Sequence, residues 1–209
     1  MNLVIIGAGG LAREVYDLAN LCYENNPDFK IKGFIANEPM KEYGDLYPSY
    51  LGKVENYEID CNDRFFCAIG NLIDRKKSVD IILERGGKFI NLIAPRVFIS
   101  PNTKIGKGVA VKWDCVLNSG VEIGDFTFIQ TNVIFGHDVK VGSFCQISAM
   151  SFFAGGGQIG DFVEINPGVR VIQNIKIGQG SKVGIGSVVV TNVKPETTVW
   201  GFPAKKFLF

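Results

Sequence analysis

The chain has 209 residues, 46% hydrophobic and 21% charged, which is enough apolar material for one large or two small domains. Lysine and arginine number 22 and aspartate and glutamate 21, so the net charge of +1 argues against nucleic acid or a membrane surface as partner. The 25 glycines predict many tight turns. The single histidine excludes a metal site that needs two or three imidazoles.

The first residues, MNLVIIG, lack a basic segment, and their apolar run is too short for a signal peptide or a membrane span. The five cysteines are odd in number and show no CxxC spacing, which favours buried thiols in a reducing compartment. We therefore expect a cytoplasmic protein without membrane insertion and without a metal.

Residues 1–92 alternate strand and helix patterns. Predicted strands cover residues 3–6, 32–35, 65–69 and 88–90, and predicted helices cover 11–22 and 74–85. This alternation predicts a small parallel sheet of Rossmann-like βαβ type. The segment GAGGLA at residues 7–12 fits G-x-G-x-x-G/A at the start of a helix, where backbone amides favour phosphate. The acidic residue that an NAD site requires after the second strand is absent or displaced to Glu38, so we favour a nucleotide-sugar or related phosphate pocket.

The second half carries a six-residue repeat. From Ile93 to Val189, all seventeen positions at a spacing of six are Ile, Val, Leu or Phe. A small or β-branched residue follows four positions after each of them, and turn-forming pairs such as Pro101-Asn102 lie between the two. Short strands joined by corners describe a solenoid of stacked coils. The pattern resembles the hexapeptide-repeat acyltransferases, which implies a left-handed parallel β-helix with three six-residue faces in each 18-residue coil.

The only histidine, His137, follows the repeat position Phe135 by two residues, which puts it at a corner and not in the core. The adjacent Asp138 is suited to fix the tautomer or raise the basicity of the imidazole, as a general base requires. One coil later, Gly155 begins a triple glycine, and its bare amide is expected to lie beside the histidine as an oxyanion donor. A solvated corner histidine and glycines that merely ease a corner are the alternatives.

With both halves in view, the chain resembles the PglD/NeuD family of bacterial sugar acetyltransferases. The matching stretches are residues 5–10, 68–71, 91–93 with 99–101, 136–139 and 201–205. The resemblance implies an α/β plus all-β organisation: a Rossmann-like nucleotide-sugar-binding domain at 1–92, a left-handed β-helix acyltransferase domain at 93–194 and a tail at 195–209 near the coenzyme A site. It also implies a homotrimer with active sites between subunits.

The resemblance assigns roles to individual residues. His137 is the expected base, Asp138 its helper and Gly155 the amide that contacts the thioester carbonyl. The implied acceptor pocket comprises Gly9, Gly10, Leu11, Asn37 and Gly70, and the implied coenzyme A contacts are Gln146, Gly155, Pro167, Ile185 and Lys205. The chain departs from the family at Leu11 and Gln146, where histidine is frequent, and at Ala36-Asn37, where two aspartates are frequent. The transfer corner is therefore expected to be intact and the acceptor pocket altered.

We expect transfer of acetyl from acetyl-CoA to an amine or hydroxyl of a nucleotide-linked sugar, for surface polysaccharide or glycan synthesis. The sequence leaves open N- or O-acetylation, the nucleotide (UDP, GDP or dTDP) and a longer acyl donor. One alternative is a non-catalytic trimer that acts as a nucleotide-sugar-binding or regulatory protein. Another is an NAD-binding oxidoreductase built on the glycine loop.

Overall fold

The computed structural model describes residues 1–38 and 46–206, and the chain divides into two compact units, one from Met1 to Leu92 and one from Ile93 onward. The elements of the first unit are β1 (Asn2–Ile6), α1 (Gly10–Cys22), β2 (Lys30–Ile35), β3 (Tyr50–Gly52), a 3₁₀ turn (Val54–Asn56), β4 (Asp63–Cys67) and α2 (Leu72–Glu84). Its four strands form a parallel sheet in the order β3-β2-β1-β4. The apolar residues of the central strand β1 are fully buried and form the middle of this unit's core.

Two elements of the first unit differ from the sequence prediction. The edge strand β3 was not expected, because three residues including Gly52 are too short to show a two-residue alternation. The strand predicted at 88–90 is a single bridge between Phe65 and Phe89. The other strands and both helices follow one another along the chain as the alternating sequence pattern predicts.

A buried carboxylate stabilises the start of β4. Asp63, 2% exposed, accepts hydrogen bonds from the Tyr57 hydroxyl (2.6 Å), the Lys32 ammonium (3.0 Å) and the Asp60 amide (3.0 Å). Burial alone would raise the pKa of Asp63, but these donors together hold it below its ordinary value. The ionised form of Asp63 therefore stabilises this unit more than the protonated form does.

The second unit is built from strands of two residues. They are β5 (Leu92–Ile93), β6 (Phe98–Ile99), β7 (Lys104–Ile105), β8 (Ala110–Val111), β9 (Val116–Leu117), β10 (Glu122–Ile123), β11 (Phe128–Ile129), β12 (Ile134–Phe135), β13 (Lys140–Val141), β14 (Gln146–Ile147), β15 (Phe152–Phe153), β16 (Gln158–Ile159), β17 (Glu164–Ile165), β18 (Arg170–Val171), β19 (Lys176–Ile177), β20 (Lys182–Val183) and β21 (Val188–Val189). Two further strands, β22 (Thr198–Trp200) and β23 (Lys205–Lys206), lie near the C-terminus.

These strands form the three faces of a parallel β-helix. Face 1 contains β5, β8, β11, β14, β17 and β20, face 2 contains β6, β9, β12, β15, β18 and β21, and face 3 contains β7, β10, β13, β16 and β19. Paired residues such as Ile134 and Phe152 are 18 positions apart, so each coil has 18 residues.

The repeat positions form the core of the β-helix. From Val111 to Val189, each residue at the six-residue spacing is buried, and most of the small residues between them are buried as well. Between Val111 and Val189 the polar members have partners: the Thr127 hydroxyl donates to the carbonyl of Gly142 (2.8 Å) and that of Ser181 to Lys194 (2.8 Å). In an earlier coil, the buried Thr103 hydroxyl has no hydrogen-bond partner among the described residues. The paired hydroxyls therefore do not destabilise the core between Val111 and Val189.

The corners require a left-handed backbone. Every sixth residue from Gly108 to Gly186 has a positive φ, between 56° and 75°. Six of these fourteen residues are glycine, whereas three are phenylalanine, at 126, 144 and 162. The three rings stack on one another along a corner, with centroids 5.0 and 5.3 Å apart. Stacking thus accompanies a backbone conformation that is costly for a bulky residue.

The repeat shortens before the C-terminus. Residues of β20 pair with residues of β22 that lie 16 positions later, so the last coil has two residues fewer than the others. The predicted tail therefore begins with a strand that continues face 1, and β23 folds back antiparallel to it. Residues 207–209 of that tail lie outside the described residues.

Candidate active site

His137 lies at the corner between β12 on face 2 and β13 on face 3, two residues after the buried Phe135. Its Nδ1 is 2.9 Å from Oδ2 of Asp138, a residue with a left-handed φ of 59°. The two side chains are 72% and 69% exposed. An exposed imidazole oriented by a carboxylate has the arrangement of a general base and its orienting partner.

Gly155 lies directly against the imidazole, one coil after His137. A Cβ atom at this position would be 2.4 Å from Nε2 of His137, so the ring can occupy its place only above a glycine. The next amide, that of Gly156, donates to the carbonyl of His137 (2.9 Å), whereas no group within residues 1–38 and 46–206 accepts from the amide of Gly155. A proton acceptor and an uncommitted amide donor are therefore adjacent.

The five predicted acceptor residues line one groove of about 860 Å³ in the first unit. Gly9 and Gly10 open α1, Leu11 belongs to its first turn, Asn37 follows β2 and Gly70 follows β4. Gly9 makes no side-chain cap, whereas at α2 the Asn71 carboxamide accepts from the amides of Ile73 and Asp74. The amides of the glycine loop are thus better placed than those of α2 to bind an anion.

The same groove contains charged residues, of which only Glu38 was considered from the sequence, as the displaced acidic residue of an NAD site. Its lining includes the carboxylates of Glu38, Glu55 and Asp74 and the ammonium of Lys77. Glu55 follows the unpredicted strand β3, and Asp74 and Lys77 share one side of α2 at a spacing of three. A spacing of three on a helix that begins just after Gly70 is the sequence signal that could have identified Asp74 and Lys77.

The predicted coenzyme A residues lie at several places on the β-helix. Pro167 and Ile185 occupy equivalent positions on the corner between faces 1 and 2, where the Gly186 amide donates to the Pro167 carbonyl (2.9 Å). The Trp200 indole donates to the carbonyl of Ile185 (3.1 Å), and Lys205 pairs with Trp200 across the terminal hairpin. Ile185 and Lys205 are therefore brought to the same end.

The other two predicted coenzyme A residues lie elsewhere. Gln146 is on face 1, in line with Glu164, and Gly155 is on the His137 corner between faces 2 and 3. Within one chain, face 2 separates the Pro167–Ile185 corner from the His137 corner.

Thiol chemistry is disfavoured at the core cysteines. Burial raises the pKa of Cys67 to about 12 and that of Cys115 to about 11, which keeps both thiols protonated near neutral pH. No disulfide joins the five cysteines, all of which are described. Within residues 1–38 and 46–206, no group of three or more His, Cys, Asp or Glu side chains could hold a metal ion. Neither described helix has the length and apolar character needed to cross a bilayer.

Comparison with known proteins identifies each half separately. Residues 2–82 match the family model of the PglD N-terminal domain, and residues 90–175 match that of the GMPPB C-terminal domain. Serine acetyltransferases from Buchnera aphidicola and Escherichia coli K12 are 53% and 47% identical over 38 residues, which is 18% of this chain. The matched segment spans 15% and 14% of those proteins.

Two solved structures match almost the whole chain. A mutant of perosamine N-acetyltransferase from Caulobacter crescentus, in complex with CoA and GDP-perosamine, is 28% identical with a TM-score of 0.88, over 100% of this chain and 98% of that one. The acetyltransferase domain of PglB from Neisseria gonorrhoeae is 27% identical with a TM-score of 0.89, over 99% of both chains.

These matches confirm the expected fold, a Rossmann-like domain followed along the chain by a left-handed β-helix. They also confirm that the chain is an acyltransferase of the hexapeptide-repeat type. The likeness extends over both units, and one of the matched proteins is a sugar N-acetyltransferase that is 28% identical in sequence. The chain is therefore similar, over both units, to PglD/NeuD-like sugar acetyltransferases, and its residues 2–82 match the family of the PglD N-terminal domain.

Proposed function

We propose that the protein transfers acetyl from acetyl-CoA to an amine of a nucleotide-linked sugar in glycan biosynthesis, with His137 as general base. The observation that carries the proposal is the His137 corner: Nδ1 is 2.9 Å from Asp138, and Nε2 lies over Gly155. Support for the substrates comes from the perosamine N-acetyltransferase, which holds CoA and GDP-perosamine. The reaction takes place in the cytoplasm, a reducing compartment that suits a chain without disulfides.

In the proposed reaction, the acceptor nitrogen attacks the carbonyl carbon of the thioester while Nε2 of His137 takes its proton. The new N–C bond forms as the π electrons of the carbonyl move to oxygen, where the Gly155 amide donates a hydrogen bond. The C–S bond then breaks, and coenzyme A leaves as a thiolate that takes the proton from the imidazolium. Asp138 keeps the Nδ1 proton in place, so that Nε2 is the basic atom at the start of the cycle.

The groove of the first unit is the proposed site of the nucleotide sugar. The amides of the glycine loop suit its diphosphate, and Asn37 and Gly70 complete the lining. The perosamine N-acetyltransferase, which is 28% identical and was solved with CoA and GDP-perosamine, supports an amino sugar as the acceptor. N-acetylation is therefore the preferred form of the reaction, with O-acetylation as the alternative.

A second copy of the chain is the proposed occupant of face 2, within a homotrimer whose active sites lie between subunits. Outward side chains of this face form an apolar row in which Phe98 is 56%, Ile134 40% and Phe152 41% exposed. The row leads to the His137 corner, and a contiguous apolar patch of this kind is typical of an interface. In the trimer, Pro167, Ile185, Gln146 and Lys205 are proposed to contact coenzyme A together with Gly155.

The decisive experiment is an acceptor screen that follows release of the coenzyme A thiol. Acetyl-CoA is supplied with 4-amino sugars linked to GDP, UDP and dTDP, and with the matching 4-hydroxy sugars. We expect turnover with at least one amino sugar and a fall of about 10²–10⁴-fold in His137→Ala. The exposed Lys140→Ala serves as the matched control. Near-normal turnover in His137→Ala, or thermal stabilisation by nucleotide sugars without any thiol release, would contradict the proposal.

The trimer has its own test. Light scattering on the purified chain should give three times the mass of one subunit, and Phe152→Asp should lower that mass. Lys140→Asp changes an exposed residue of face 3 and should leave the mass unchanged. A monomeric wild-type chain would exclude sites shared between subunits.

A further inference from the structure

The corner that carries Asp138 shows an alternation along the coils. Residues 102, 120, 138, 156 and 174 occupy equivalent positions and are Asn, Gly, Asp, Gly and Asn. The two glycines lie beneath side chains of the next coil. A Cβ at Gly120 would be 2.3 Å from Oδ1 of Asp138, and one at Gly156 would be 2.4 Å from Oδ1 of Asn174. Each polar side chain thus leans over a glycine that precedes it by 18 residues.

Asp138 depends on this space because little else holds it. Its Oδ2 contacts Nδ1 of His137, while among the described residues no hydrogen-bond donor reaches Oδ1. The carboxylate is 69% exposed, so close packing around it does not fix its rotamer. The bare backbone of Gly120 lies against Oδ1, since a Cβ there would be 2.3 Å from that atom.

From these contacts we infer that Gly120 is a positioning residue for the catalytic dyad, acting through Asp138. The inference rests on the proposed role of His137 as the base. A methyl group at residue 120 needs about 3.4 Å from an oxygen atom and would find 2.3 Å, so the carboxylate must move by about 1 Å. The Nδ1 contact at 2.9 Å is then lost, and with it the preference for the tautomer that leaves Nε2 unprotonated.

The test uses the fact that His137 is the chain's single histidine, so its ring nitrogens give unambiguous NMR signals. Long-range ¹H–¹⁵N correlation at a pH where the ring is neutral distinguishes the Nδ1–H and Nε2–H tautomers. We expect Nδ1–H in the wild type and a shift toward Nε2–H in Gly120→Ala, with a fall in kcat of roughly 10²-fold. A merely structural defect would not change the tautomer of a folded protein.

A matched control separates this contact from backbone strain. Gly86 has a φ of +80°, close to the +75° of Gly120, and a Cβ there meets nothing within 4 Å. Gly86→Ala should therefore retain both the tautomer and the kcat of the wild type. In an Asp138→Ala background, Gly120→Ala should cause no further fall in kcat, because the carboxylate that it displaces is gone.

Three results would overturn the inference: an Nε2–H tautomer in the wild type, an unchanged tautomer in Gly120→Ala, or an equal loss of kcat with and without Asp138. If Gly120→Ala does not fold, the double variant Gly120→Ala/Asp138→Ala decides, since its folding supports the contact and its failure to fold refutes it. The tautomer is measured without an acceptor. A tautomer shift in a chain that has no acetyltransferase activity would sink the proposed function and leave the positioning role standing.

Discussion

Gly155→Ala is the substitution that most directly tests the geometry of the His137 corner. The backbone φ of Gly155 is not positive, and alanine retains the amide that the proposed mechanism uses, so neither strain nor a lost donor complicates the change. The new methyl group would lie 2.4 Å from Nε2 of His137, where about 3.4 Å is needed, and the ring must therefore move by about 1 Å. A displacement of this size lowers turnover by roughly 10²-fold.

The assay is initial-rate thiol release with the acceptor that the screen identifies. Gly157→Ala is the matched control: it lies two residues further on, and its Cβ would meet its nearest neighbour at an ordinary 3.6 Å. Because the His137 side chain is 72% exposed, it can turn into solvent, and the melting temperature of Gly155→Ala should equal that of the control.

Full activity in Gly155→Ala would show that the imidazole does not act from its place above Gly155. Equal losses in Gly155→Ala and Gly157→Ala would attribute the effect to the triple glycine as a whole and not to the ring. Either result would refute the reasoning from the 2.4 Å approach.

Three further predictions concern stability. Asp63→Asn should cost about 2 kcal/mol in urea unfolding at pH 7. Because the pKa of Asp63 is lowered in the folded protein, its contribution to the free energy of unfolding is present above the ordinary carboxyl pKa of about 4 and is lost as the pH falls toward the folded value. Asp63→Asn should therefore lose less stability on acidification than the wild type. Parallel acid profiles of the two proteins would contradict this. Phe153→Ala removes a fully buried ring stacked 5.0 Å from Phe135 and should cost about 3–5 kcal/mol by the same method, whereas a cost below about 1 kcal/mol would mean that the core refills the space. Asn71→Ala leaves two amides of α2 without their cap, should cost about 1 kcal/mol and is checked by thermal unfolding, in which an unchanged melting temperature would count against the cap.

Most of the fold could be predicted because it is encoded by periodic patterns. The six-residue spacing from Ile93 to Val189 corresponds one to one with strands β5 to β21, since each repeat position is the second residue of a strand. The edge strand β3 could not be predicted, because its pairing with β2 is a tertiary contact of three residues. Phenylalanine at the left-handed corner positions was equally unforeseeable, because its stabilisation comes from rings one coil away.

The part of the candidate site on the β-helix could be predicted, because the repeat shows which residues are adjacent on successive coils. His137, Asp138 and Gly155 are related by one and by eighteen positions, and the structure brings them together at one corner. The role of Gly120 was not apparent, since it depends on which way the Asp138 carboxylate leans. The charged lining of the groove was missed for a similar reason, because Glu55 reaches it from a turn that follows an unpredicted strand.

The stacking of coils in steps of eighteen sets different rules for insertion and deletion in the core and in the site. Loss of six consecutive residues between His137 and Gly155 would leave Ile, Val, Leu or Phe at every repeat position, so the core would remain intact. The same loss would carry Gly155 to another corner, a third of a turn away from the imidazole. Length changes in multiples of six between these residues are therefore compatible with folding, whereas any length change there separates Gly155 from the imidazole.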